Sequence, residues 1–208
     1  MKKTWMSLLA LSVCGSALAA GQTGLDAKAT AVIKRDFREK GIAKVERVNQ
    51  DEVQATCTKY LDHPPHAVQD KLEKQQAATI KYPADGKLMG DWKAGEKLAQ
   101  SGRGMTWSDK AEDPVGGNCY NCHQLSPKEI AYGTIGPSLA HFGRNRGNTP
   151  EMQKYVYGRI YNAKAFNLCT NMPRFGHVGA LTETQIRDLV ALLLDPESVV
   201  NKDEPAKK

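Results

Sequence analysis

Gly117-Asn118-Cys119-Tyr120-Asn121-Cys122-His123 is the stretch on which the reading of this chain turns. Two thiols stand three positions apart with an imidazole directly after the second. One helical turn therefore sets both sulfurs along a single edge and aims the ring beside them. That arrangement is the attachment pattern of c-type haem, in which the thiols add across the two vinyl groups and the histidine is the proximal iron ligand. One covalently bound haem c is expected, on Cys119, Cys122 and His123. Zinc would call for further ligands at close spacing, whereas Cys57 and Cys169 stand alone rather than as a second pair. A thioredoxin-like dithiol would call for a strand before the motif; here Gly116-Gly117 precedes it and helical segments flank it.

Working outward, the periodicity is helical. Asp91 to Ser101 reads as a short helix begun at an acidic cap, with Gly95 small enough to let another helix cross closely. Its expected partner opens with the capping box Thr182-Glu183-Thr184-Gln185, carries Ile186, Leu189, Val190 and Leu193 on one face, and ends near Asp195-Pro196. A further helix, 150–161, starts with Thr149 as N-cap and Pro150 at the first helical position, and turns Val156, Tyr157 and Ile160 inward. Strand-like alternation is absent, so the expected fold is all-α.

Candidates for the second axial ligand are His141, Met152, Cys169, Met172 and His177. Met172 is preferred, because Thr170-Asn171-Met172-Pro173-Arg174-Phe175-Gly176 is a loop between helical segments that can arch over a flat macrocycle, while Met152 sits in a first helical turn where it packs. His177 is the runner-up. A thioether opposite an imidazole favours ferrous iron relative to two imidazoles and leaves no open coordination position. Electron transfer follows, with no catalytic residue in this chain.

The beginning of the chain sets the expected compartment. MKKTWMSLLALSVCGSALAA has a basic start, a short apolar core and an Ala17-Leu18-Ala19 end, the pattern of a cleavable signal peptide over residues 1–19 and hence of a periplasmic protein. No apolar run reaches the roughly 18 to 20 residues of a membrane span. A lipid anchor on Cys14 is disfavoured by bulky Val13 before it. Removing Lys2 and Lys3 with the signal leaves a mildly basic chain, and no lysine–arginine block or aromatic–basic alternation points to nucleic acid. Arg144, Arg146 and Arg174 read as solvated loop cations, and His63 and His66, with two prolines between them, as a surface turn rather than a metal pair.

Residues 20–84 form an extension with helices expected near 29–40, 52–61 and 66–80. Its main apolar anchors are Val32, Ile33, Phe37, Val45, Val48 and Val53. The haem domain is assigned to 85–200, and 201–208 to a flexible tail.

The order of helix, CxxCH, Gly136-Pro137-Ser138-Leu139 turn, methionine loop and C-terminal helix resembles the class I cytochromes c. That resemblance implies the class I fold, here with a helical N-terminal extension, and a carbonyl of Pro137 that accepts the Nδ1 proton of His123. A narrower likeness lies in GNCYNCHQL, GTIGPSLAHFGRNRG and the run from Tyr155 to Ser198 containing NMPRFG. These segments resemble the SoxX family, monohaem subunits of the SoxAX cytochromes of sulfur-oxidising bacteria. The resemblance implies a heterodimer with a SoxA cytochrome, an L-cysteine S-thiosulfotransferase that joins thiosulfate oxidatively to a cysteine of the SoxYZ carrier. This chain would be its non-catalytic electron-transfer subunit, passing electrons to a soluble cytochrome c. A free-standing periplasmic shuttle is the alternative.

Cys57 and Cys169 remain, and in an oxidising compartment an even remainder suggests a disulfide pinning the extension to the methionine loop. An intermolecular bond to SoxA, free thiols, or Cys169 as an iron ligand are the other readings.

Overall fold

The structure, a computed structural model, describes residues 27–202. The expected signal peptide, its Ala19 end, Cys14 and positions 203–208 lie outside the described residues. Two compact units divide between Asn49 and Gln50. Residues 50–84 therefore belong to the same unit as the 85–200 segment, so the division does not coincide with the expected boundary at 84.

In the first unit, residues 27–36 are helical (α1), Lys40 and Ala43 form an isolated antiparallel bridge, and Val45–Val48 is a 3₁₀ turn. Val32, Ile33 and Phe37 do not serve as buried anchors; they are 46%, 39% and 56% exposed.

The second unit is built on α2 (Glu52–Lys59), α3 (His66–Ala78), α4 (Trp92–Gln100), α5 (Phe142–Arg146), α6 (Pro150–Tyr161) and α7 (Glu183–Leu194). Among the described residues no strand occurs, and no helix is long and apolar enough to cross a membrane. The fold is all-α. Local chemistry fixes where the helices begin. Asp91 accepts from Lys93 N, Thr149 from Met152 N, and Thr182 and Gln185 satisfy each other's backbone N–H groups in a capping box. Asp51 and Gln54 form a second capping box at α2.

Packing follows from the apolar stripes. Ile186, Leu189, Val190 and Leu193 of α7 are buried with Val156, Tyr157 and Ile160 of α6 in one core. α4 crosses α7 at Gly95, where a Cβ would run into the backbone carbonyl of Asp188. Only glycine permits that approach. A satellite cluster of Val53, Cys57, Leu72 and Leu168 joins α2 and α3 to the segment before Met172.

Residue 201, expected in the tail, is instead part of the folded unit. Asn201 is buried; its Nδ2 donates to the carbonyls of Leu193 and Asp195 at 3.1 and 2.8 Å, and its Oδ1 accepts from Arg144 N at 3.1 Å. The side chain satisfies carbonyls left open at the end of α7 and ties α5 beside it.

Candidate haem site

The motif is built onto the end of α4. Gly117 N donates to Leu98 O at 2.9 Å and Asn118 N to Ser101 O at 2.9 Å, and Asn118 adopts a left-handed conformation that asparagine tolerates. The chain then turns through a 3₁₀ helix, Cys119–Asn121, with Cys122 N and His123 N both donating to Cys119 O at 3.1 and 2.9 Å. Cys119, Cys122 and His123 thus share one turn, and neither cysteine is in a disulfide.

The loop after the motif folds back on it. Gly133 N donates to Tyr120 O, Gly136 N to Cys122 O and Leu139 N to Gln124 O, at 2.8, 2.8 and 2.7 Å. This lays Gly136 flat against the His123 ring, where a Cβ would overlap the imidazole. It also brings the Pro137 carbonyl to 2.7 Å from His123 Nδ1. A carbonyl can only accept, so Nδ1 carries the proton, and Nε2 is the ring atom left to face the cleft chemistry.

Cys119, His123 and Met172 line one cleft whose remaining walls are apolar, Leu125, Ile160, Leu189 and Leu192 among them. Of the five residues considered for the second ligand, Met172 alone lines this cleft with His123. Cys169 is bonded to Cys57, with Cα atoms 5.5 Å apart. His177 Nδ1 lies 3.1 Å from Thr79 Oγ1, and its pKa is lowered by burial and by the Arg174 charge. Met152 packs on the core from the first turn of α6, and His141 precedes α5 in a left-handed conformation.

The donor set fits a haem c. Burial, with the neighbouring Cys122 sulfur adding to it, pushes the Cys119 thiol up to about 12. A thiolate is therefore disfavoured there, which speaks against a reactive dithiol, whereas a thioether is uncharged and suits the same apolar wall. Among the described residues the only cluster of potential metal-ligand atoms is Cys57, Asp62 and Cys169, whose two sulfurs are already bonded to each other.

Sequence reasoning missed what holds the methionine loop. Lys164 is buried, its Nζ donating to the carbonyls of Leu168 and Thr170 at 3.0 and 3.3 Å, and burial followed by the nearby Arg174 charge lowers its pKa. Arg174, expected as a solvated cation, has only 10% of its side chain exposed and pairs with Asp51. Asn162 reaches Gln76 Oε1 and Thr79 Oγ1 at 3.0 and 2.9 Å.

A family model described as cytochrome c matches residues 108–195. A protein of Aquifex aeolicus (strain VF5), named an uncharacterized lipoprotein, is 43% identical over 155 residues, which cover 74% of this chain and 73% of that protein. Residues 108–195 hold the Cys119–His123 turn, the Pro137 carbonyl, the Met172 loop and the whole of α7. With an all-helical fold around an apolar cleft lined by Cys119, His123 and Met172, the chain belongs to the cytochrome c family of electron-transfer proteins, which carry covalently bound haem c.

Proposed function

We propose that the chain carries one haem c, tethered through Cys119 and Cys122 and ligated by His123 and Met172, and that it serves as the electron-transfer subunit of a SoxAX-type cytochrome. The observation behind the ligand set is the meeting of His123 and Met172 on one apolar cleft. When bound, the haem supplies an iron centre that takes up and gives off single electrons. The protein's part is positioning and solvation. Pro137 O holds the Nδ1 proton and so the ring orientation of His123. Leu125, Ile160, Leu189 and Leu192 exclude water. Two neutral ligands in apolar walls favour the less charged ferrous state and a raised potential.

The Sox assignment rests on the likeness of the NMPRFG loop and its flanking segments to the SoxX family. In that role, a partner SoxA forms the sulfur–sulfur bond between thiosulfate and a carrier cysteine of SoxYZ, releasing the thiol proton and two electrons. The present chain accepts the electrons singly and hands them to a soluble cytochrome c. Export to the periplasm fits the leader-like start of the sequence; the naming of the Aquifex aeolicus relative as a lipoprotein makes Cys14 the competing anchor site.

The test is the mature protein itself. Its mass should equal the polypeptide from about residue 20 plus one haem, and ferric protein should show the long-wavelength thioether-to-iron band, lost in Met172→Ala. A second cytochrome should co-purify one to one, and its thiosulfate-dependent reaction should reduce this chain. A monomer that no thiosulfate-oxidising partner reduces would leave the free shuttle as the correct reading.

A further inference from the structure

Arg174 stands two residues beyond Met172, and its burial demands partners, because an unpaired guanidinium is costly away from water. Both of its partners lie outside the segment matched to the cytochrome c family. Nη2 pairs with Asp51, the N-cap of α2, and Nη1 donates to Gln76 Oε1 of α3 at 3.4 Å. Together α2 and α3 grip the methionine loop at other points. Glu73 Oε1 accepts from Leu168 N at 3.0 Å, Cys57 is bonded to Cys169, and Thr79 meets both Asn162 and His177. Inside the loop, by contrast, Met172 has a single fastening of its own, from its N to Thr170 Oγ1 at 3.2 Å.

We propose that α2 and α3 form a brace that sets the position of the Met172 sulfur, with Arg174 as the positioning residue that transmits the brace through Asp51 and Gln76. The inference rests on Met172 being the iron's second ligand. A planar guanidinium forking between two acceptors fixes direction as well as distance, which a lysine cannot do. Slackening the fork leaves the thioether free to leave the iron for part of the time. An added ligand that competes for the vacated position then binds more tightly, in proportion to that fraction.

The experiment uses full-length holoprotein carrying Asp51→Asn. Asparagine keeps the oxygen that caps α2 through Gln54 N, so the ion pair alone is removed. Imidazole is titrated into ferric protein of known haem content, and the thioether-to-iron band is recorded alongside. Imidazole should bind about tenfold more tightly than in the wild type, the equivalent of one lost charged hydrogen bond, and the band should weaken. Arg174→Lys should behave likewise. Should either variant fold poorly, the paired change Cys57→Ala with Cys169→Ala loosens the same brace from another point. Imidazole affinity within about twofold of wild type in the folded variants, with only the unfolding temperature lowered, overturns the brace and leaves Met172 as ligand. A wild-type protein lacking the thioether band overturns both.

Discussion

The Cys57–Cys169 bond is where stability is most open to measurement. It closes a loop of 112 residues that takes in the Cys119–His123 turn and the 133–139 loop and ends three positions before Met172. In the chain-entropy description, releasing a loop of that length returns about 5 kcal/mol of freedom to the unfolded chain. The native state should survive the loss, because Val53, Leu72 and Leu168 still pack together and Arg174, Asn162 and Leu168 N keep their partners on α2 and α3. Most of the effect therefore belongs to the unfolded ensemble. Urea denaturation of Cys57→Ala with Cys169→Ala holoprotein, followed by far-ultraviolet circular dichroism, should show a stability loss approaching that figure, and a drop in unfolding temperature of roughly 10–20 °C. The slope of free energy on urea should rise, since an uncrosslinked unfolded chain exposes more surface. A loss under about 1 kcal/mol at unchanged slope would refute the reasoning, for it would mean the unfolded chain gains little freedom when the link is cut.

Gly136→Ala places a methyl group into the His123 ring and should break the Pro137 hydrogen bond, worth about 1–2 kcal/mol; haem content after maturation should fall. Gly95→Val drives a branched side chain into the Asp188 carbonyl at the α4–α7 crossing and should cost about 3 kcal/mol or more in chemical denaturation. Asn201→Ala strands the carbonyls of Leu193 and Asp195 at the end of α7, with an expected loss of about 2 kcal/mol by the same assay. Acid should weaken the brace in a defined direction. Burial raises the Asp51 pKa, but hydrogen bonds from Gln54 N and Arg174, together with the Arg174 charge, outweigh it and hold the carboxyl below its ordinary 3.8. A depressed carboxylate contributes fully above 3.8 and loses its contribution as pH falls through the folded value. The acid arm of a stability–pH curve should therefore flatten in Asp51→Asn.

What could be read from the sequence was what is local. The i, i+3, i+4 spacing of Cys119, Cys122 and His123, the cap residues Asp91, Thr149 and Thr182, and the α7 stripe each depend on neighbours within a few positions. Residue chemistry narrowed five candidate ligands to Met172, which shares the cleft with His123. Arg174 was misjudged because loop arginines are usually solvated, and its partner Asp51 lies 123 positions away. Asn201 was hidden by the polar run around it, although its value lies in carbonyls that exist only once α7 has formed. Val32, Ile33 and Phe37 show the converse: an apolar side chain in a helical pattern states a capacity for burial, not the presence of a neighbour in the same chain.

The helices α2 and α3 pack on the side of the cleft that needs them. On the histidine side, the loop 133–139 folds back onto the motif through three backbone hydrogen bonds, and the Pro137 carbonyl fixes the ring, all within a short span of chain. Short loops order at low entropic cost, so this half of the site holds itself. On the methionine side, the segment from Asn162 to His177 includes one 3₁₀ turn and otherwise irregular chain, with a buried lysine holding two of its carbonyls. A thioether is also a weaker and less directional donor than an imidazole. Rigidity there has to be imported, and α2 and α3 supply it through a covalent bond, an ion pair and side-chain hydrogen bonds spread along that segment. The two proposed ligands, His123 and Met172, are thus set by different means, one by local backbone geometry and the other by distant chain, and substitutions in α2 and α3 should act on the sulfur while leaving the imidazole where it is.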